Sequence, residues 1–167
     1  IVSTQNEFGE IKYGYIDTKG DPITPIQFSR RPEHFSDGLG LVYYSYNEGQ
    51  KYSYINKKGE IIFTENSIDK FGSFYLGYAQ KVIPGSTKAF IIDENMKQKT
   101  VLEFLNEFGI EPKNNSGNIT FPKHTLNVNT TSNFPFLPFR FYNGKKTQYG
   151  YLFIESKSAI YGDFEDT

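Results

Sequence analysis

Lys12-Tyr13-Gly14-Tyr15-Ile16-Asp17-Thr18-Lys19-Gly20 returns 39 residues later as Lys51-Tyr52-Ser53-Tyr54-Ile55-Asn56-Lys57-Lys58-Gly59, with seven of nine positions identical or close in type. A second pair keeps the offset: Phe35-Ser36-Asp37-Gly38-Leu39-Gly40 and Phe74-Tyr75-Leu76-Gly77-Tyr78-Ala79. Two landmarks at one spacing mean one structural unit used more than once. In each copy the aromatic alternation reads as a strand, and Lys-Gly reads as a short hairpin turn whose glycine supplies a positive φ. Asp17 and Asn56 stand at the turn starts, where a short side-chain oxygen caps backbone N–H groups.

Outward from these motifs, Asp21 to Phe28 reads as an extended return segment. Pro22 and Pro25 mark it as an edge strand or one that frays early. Arg30 to Asp37 is a loop, and Leu39 to Tyr46 is a strand. Asn47-Glu48-Gly49 turns into Gln50 to Asn56, and Lys57-Lys58-Gly59 turns again into Glu60-Ile61-Ile62-Phe63. Phe71 to Val82 carries the Phe-to-Gly landmark of a third unit. Lys88-Ala89-Phe90-Ile91-Ile92-Asp93 takes the place of the aromatic-Gly strand, 37 residues after Lys51.

Thr100-Val101-Leu102-Glu103 breaks the pattern and fits a capping box. Val101, Leu102, Leu105 and Phe108 share one helical face, Gly109 is placed as a C-terminal cap and Pro112 as a stop, which predicts a short helix over 101–108. Lys113 to Asn118 and Asn127 to Asn133 are polar and read as loops. Leu137 to Tyr142 reads as a strand and Asn143-Gly144 as a turn. Tyr149-Gly150-Tyr151-Leu152-Phe153 echoes Tyr13 to Asp17, which predicts a partial fourth repeat. The expected fold is mainly β: antiparallel hairpin and meander units of about 39 residues forming an open or curled repeat sheet, with one short α-helix. The expected division is 1–99, with units starting near 12, 51 and 88, and 100–167.

Composition agrees with a β fold. The 167 residues include 16 Phe and 13 Tyr, types that suit half-buried pleated surfaces. The net charge of −1 offers no basic excess for a phosphate backbone, so nucleic acid is not expected as a partner. The chain has no Cys, which excludes disulfide frameworks and Cys-based metal or redox sites. No apolar run approaches the roughly 18 residues of a membrane helix, so membrane insertion is not expected. The chain begins at Ile1, as a trimmed chain would, and its composition fits a cytoplasmic and a bacterial extracytoplasmic setting equally.

Tyr13-Gly14-Tyr15-Ile16-Asp17-Thr18-Lys19-Gly20, then Ile26-Gln27-Phe28, then Phe35-Ser36-Asp37-Gly38-Leu39, resembles the bacterial WG repeat. That repeat has an aromatic-Gly-aromatic-Ile-Asp strand, a Lys-Gly turn, an Ile-x-Pro-x-Phe segment and a Phe-Ser-x-Gly-Leu-Ala-x-Val strand. The resemblance covers about residues 12–93, with an echo at 149–153, and has no counterpart over 100–140. The chain contains no Trp, and Tyr13 and Tyr52 stand in that place. Ser53 replaces the motif glycine, and Ala89-Phe90 loses the aromatic-Gly pair. The resemblance implies a β-rich interaction module of bacterial proteins without catalysis of its own. Some such modules occur near toxin and immunity systems.

The residues themselves point the same way. His34 and His124 are the only histidines and sit in neither a metal spacing nor beside a nucleophile. No phosphate loop, Ser-His-Asp order or zinc pattern is present, so no enzyme activity and no cofactor are expected. Tyr13, Tyr15, Tyr52 and Tyr54 are expected in the core between repeats, because aromatics dominate core burial. Arg30, Arg31 and His34 lie in the long loop, where binding residues collect, and Tyr44 and Tyr46 lie near a turn. These five are the candidate binding residues. The acidic tail at Asp163, Glu165 and Asp166 suits a basic partner. The expected function is a non-enzymatic module that binds another protein, with a toxin-neutralising immunity protein as one concrete form. The alternative is a cell-surface or glycan-binding module presenting its repeated tyrosines.

Overall fold

The computed structural model describes residues 1–46, 49–67, 69–85, 89–113, 117–119 and 136–162. Among the described residues the chain is mainly β, with antiparallel sheets that stay open and one short helix. It divides into two compact units. One holds Ile1–Phe74 with Lys81–Ser86, and the other holds Tyr75–Gln80 with Thr87–Thr167.

In the first unit, β1 (Val2–Gln5) pairs with β2 (Ile11–Gly14). The return segment after Gly20 meets the first strand through the bridges Ile16–Pro22 and Tyr13–Phe28 and through backbone bonds from Ile23, Thr24 and Gln27, without forming a regular ladder. A proline cannot donate to a ladder, so Pro22 and Pro25 keep this segment from becoming a regular strand. The second repeat has no proline there and completes its meander: β3 (Leu39–Tyr46), β4 (Gly49–Asn56) and β5 (Ile61–Asn66) form a three-stranded sheet in that order. Beyond it, β6 (Lys70–Phe71) pairs with Lys81 and Val82 of β7 (Tyr78–Val82). The predicted turn at Asn47-Glu48 lies outside the described residues.

In the second unit, β8 (Ala89–Asp93) pairs with β9 (Gln98–Thr100), giving the third repeat its hairpin. The chain then enters α1 (Val101–Asn106). Its start is the predicted capping box: Thr100 Oγ1 accepts from Glu103 N at 3.1 Å, and Thr100 N donates to the Glu103 carboxylate at 2.7 Å. The helix ends at Asn106, two residues short of the prediction. The chain closes through Gly109, whose φ is +72°, with Ile110 N donating back to Leu105 O. The buried residues are Val101, Phe104 and Leu105. Phe104 is fully covered, while Leu102 and Phe108 are only partly so. Gly117 and Asn118, predicted as loop, begin β10 (Gly117–Ile119). That strand heads a sheet ordered β10, β11 (Phe136–Tyr142), β12 (Thr147–Phe153), β13 (Ser158–Gly162). The echo at 149–153 is thus the middle strand of a fourth meander. Its core joins Ile119, Leu137, Phe139, Phe141 and Leu152 to Ile91 and the helix residues Val101, Phe104, Leu105 and Ile110 beyond it. The polar segment 127–133 and the acidic tail lie outside the described residues.

The 39-residue offset holds at the level of atoms. Ser36 and Leu39 exchange both backbone hydrogen bonds, as do Tyr75 and Tyr78. Both turns carry two consecutive positive φ values, Asp37 and Gly38 in one and Leu76 and Gly77 in the other, the pattern whose twist matches a hairpin. Asp17 Oδ1 accepts from the amides of Lys19 and Asp21 at 2.8 and 2.9 Å. Asn56 does the same for Lys58 and Glu60, and Asp93 for Asn95 and Lys97. Asn6 makes a fourth such turn with Phe8 and Glu10, on the same Asx-x-x-Gly spacing.

Candidate functional site

The loop joining the first return segment to β3 holds three of the five candidate binding residues. Its backbone is tied down at several points. Ser29 N donates to Tyr43 O at 3.2 Å and Glu33 N to Leu41 O at 3.0 Å, which lays the loop along β3. The hydroxyl of Tyr15 donates to the carbonyl of Glu33. Pro32 is buried, and Phe35 packs against the Tyr15 ring at 4.7 Å. The whole latch recurs one repeat later: Tyr54 Oη donates to Gly72 O at 2.7 Å, and its ring packs on Phe74 at 4.9 Å. Donor, acceptor and ring all keep the offset of 39. A buried hydroxyl needs a partner, and a loop carbonyl withdrawn from water needs a donor, so each tyrosine satisfies two groups with one bond. Burial pushes the hydroxyl pKa of both tyrosines up, with the Glu33 charge adding to it at Tyr15 and Tyr43 adding at Tyr54.

Pinned in this way, the loop presents Arg30 and Arg31 as exposed cations and keeps His34 half-buried. The aromatic on which the Arg30 charge acts is Tyr43. Burial, then the charge and hydrogen bond of the Glu33 carboxylate, push its hydroxyl pKa up, while Arg30 pulls the other way. Tyr44 faces the opposite side of β3. Its ring stands edge-on to Phe28 at 5.3 Å, and the Lys51 ammonium lies 5.8 Å from its centroid. The side chain of Tyr46 lies outside the described residues. The structure therefore gathers Arg30, Glu33 and Tyr43, whereas Tyr44 serves the core. The period of two along β3 carried this information once the loop was known to pair at Leu41 and Tyr43.

The repeated tyrosines are core residues. Tyr15, Tyr52 and Tyr54 are buried, and Tyr13 is half-buried against the cluster of Tyr15, Phe28, Val42 and Ile55. The aromatic ladder that motivated a glycan platform is thus turned inward. The recurring Asp and Asn side chains are engaged by backbone amides at the turns. Among the described residues no three His, Asp or Glu side chains gather to hold a metal, and no helix is long and apolar enough to cross a membrane.

Antiparallel meanders, paired tyrosine latches and a shared turn chemistry define a β-repeat module. Residues 13–46 match the family model described as WG containing repeat, and the chain resembles WG-repeat proteins on that match. The match spans the first repeat from its aromatic-Gly strand to the end of β3. No curated protein and no solved structure gives a significant match to the chain.

Proposed function

We propose that this chain is a non-enzymatic interaction module whose first repeat offers the Arg30–Arg31 loop to another protein. A toxin-neutralising immunity protein of bacterial origin is the concrete form we favour. The observation that carries the reading is the latch. A loop held by Tyr15, Pro32 and Phe35 beneath two exposed arginines loses little conformational entropy on binding, and pre-organised charged side chains favour fast, selective association. Arginine paired with an aromatic beside it is also the side-chain combination that dominates protein interfaces.

The test is a pull-down of the chain against proteins encoded beside it, repeated with an Arg30→Glu/Arg31→Glu variant. Capture by the parent and loss in the variant, with unchanged unfolding midpoints, is the expected result. Equal capture by both would move the interface away from this loop. If the folded parent captures none of them, the immunity form fails.

A further inference from the structure

We infer that Asn143 is a self-modification site: in the folded chain its side-chain amide closes on the Gly144 nitrogen, loses ammonia and hydrolyses to a carboxylate. Asn143-Gly144 is the one Asn-Gly pair of the sequence and lies between β11 and β12. Asn143 Oδ1 accepts from Lys145 N at 2.9 Å and from Lys146 N at 3.1 Å. A side-chain carbonyl bonded to the amides two and three residues on is folded back over the peptide between, which is that of Gly144. The same two amides point at the oxygen that gains negative charge when a nucleophile adds to Cγ, as the donors of an oxyanion hole do. The nucleophile is the Gly144 nitrogen. Among the described residues no acceptor takes its proton, and Gly144 is exposed, so base from solvent reaches it. Glycine puts no Cβ in the way of the attack and adopts the φ of +99° that the turn needs.

Two other asparagines of the chain supply the contrast. Asn6 and Asn56 also cap turns through Oδ1. In both, a carboxylate holds the amide nitrogen that would have to leave: Asn6 Nδ2 donates to Glu10 at 3.2 Å and Asn56 Nδ2 to Glu60 at 2.6 Å. Glu7 and Lys57 follow them, and a side chain there crowds the attacking nitrogen. Glu10 and Glu60 are the residues whose carbonyls close those turns, and Lys146 closes the turn of Asn143. An ammonium cannot accept, and among the described residues nothing binds Asn143 Nδ2. In the reaction the bond from Gly144 N to Cγ forms and the bond from Cγ to Nδ2 breaks. The Gly144 nitrogen gives up its proton, Nδ2 takes one and departs as ammonia, and a cyclic imide remains. Water opens the imide at either carbonyl, giving aspartate or an isoaspartyl linkage. The balance is asparagine and water to aspartate and ammonia, with no change of oxidation state. The aspartate suits the turn, because Asp17 and Asp93 already accept pairs of backbone amides at theirs.

The test incubates the full, folded chain in mildly alkaline buffer, digests it with trypsin and follows peptide 141–145, which holds no other asparagine. A gain of about 1 Da, resolved by chromatography into aspartyl and isoaspartyl forms, is expected. The peptides that carry Asn6 and Asn56 should change at least about tenfold more slowly. Lys146→Glu, which offers Nδ2 the carboxylate that Asn6 and Asn56 have, should slow conversion about fivefold. Gly144→Ala should slow it further. If the strain of that variant unfolds the hairpin, Lys146→Glu carries the check alone. An unchanged 141–145 peptide, conversion seen only in urea, a rate at Asn56 equal to that at Asn143, or a Lys146→Glu variant as fast as the parent each overturns the inference. The readout is a covalent mass, so it is independent of the pull-down on the first repeat.

Discussion

Tyr15 and Tyr54 occupy equivalent places and make the same latch, yet the residues around them differ in ways the repeat alone does not announce. Ahead of Tyr15 stands Gly14, where a Cβ would come within 2.9 Å of Pro25 O and 3.1 Å of Ile26 Cα. Ahead of Tyr54 stands Ser53, fully buried, with its hydroxyl 2.7 Å from that of Thr64 on β5. The irregular, proline-bearing return segment presses on the first repeat and admits only glycine. The regular strand of the second leaves room for a side chain and supplies it with a partner. Thr24 compensates in the first repeat, its hydroxyl accepting from Tyr15 N at 2.9 Å. What distinguishes a motif glycine from a serine here is the neighbouring segment, not the strand that carries it.

The sharpest way to break this comparison is at the ring beneath each latch. Phe74 is 1% exposed, and Phe74→Ala should cost about 3–5 kcal/mol in urea unfolding. Phe35 is half-buried, so Phe35→Ala should cost less, about 2 kcal/mol. Equal losses would mean that the two latches are buried alike, against the structure.

A second contrast lies at Val42 and Lys81, again 39 residues apart. Val42 is a fully buried core residue. Lys81 carries a charge at that position, held by Glu65 at 2.5 Å and Asp69 at 3.3 Å, with the Phe71 ring centroid 5.4 Å away. Lys81→Met leaves the two carboxylates facing each other without the cation, and we expect a loss of about 2 kcal/mol. Burial opposes the Lys81 charge, but the hydrogen bonds and charges of Glu65 and Asp69 outweigh it and raise the pKa above 10.5. A raised pKa stabilises the fold below its unfolded value, and that stabilisation disappears as pH rises through the folded value. The free-energy gap between the parent and Lys81→Met should therefore be constant at neutral pH and narrow in alkaline solution. A gap that widens there would refute the ion cluster.

Exchanging the motif residues tests the return segments directly. Gly14→Ser should destabilise by about 1–3 kcal/mol, because backbone rather than a flexible side chain blocks the new Cβ. Ser53→Gly should lose about 1 kcal/mol, the hydroxyl bond and some strand rigidity. Both are read from thermal or denaturant midpoints, and the reverse ranking would contradict the packing described.

The smallest effect has the opposite sign. Gly20 and Gly59 close their Asx turns with φ of +94° and +83°, and the third repeat puts Met96 at +61° in the same place. A side chain in this region is strained, so Met96→Gly should stabilise by about 0.5 kcal/mol, the relief exceeding the added freedom of the unfolded chain. A measurable rise in melting temperature is the expected readout.

Much of the fold was legible because its punctuation is local. Asx-x-x-Gly turns and a Thr-x-x-Glu capping box act within five residues, and each formed as the residues demanded. The helix stopped short of Phe108 because packing, not propensity, sets which residues stay helical. Phe104 was missed as a core residue for the same reason, since its burial depends on Ile91 and the C-terminal sheet. At the candidate site Arg30 and Arg31 were visible as charges on a loop. That Glu33 and Arg30 both act on Tyr43, and that Tyr44 packs toward the core, required the pairing of the loop with β3.

By itself the sequence determined the repeat, its period, its turns and the strand-rich class, since these follow from short-range backbone chemistry written twice. Only the tertiary structure decided which groups the inward-facing hydroxyls of Tyr15 and Tyr54 satisfy, each a loop carbonyl 18 residues away. It alone decided that Tyr149, Tyr151 and Ile160 of the fourth meander stand exposed while Leu137 and Leu152 are covered. Burial is a property of surfaces brought together from distant parts of the chain, and a residue cannot carry that information until its neighbours are in place.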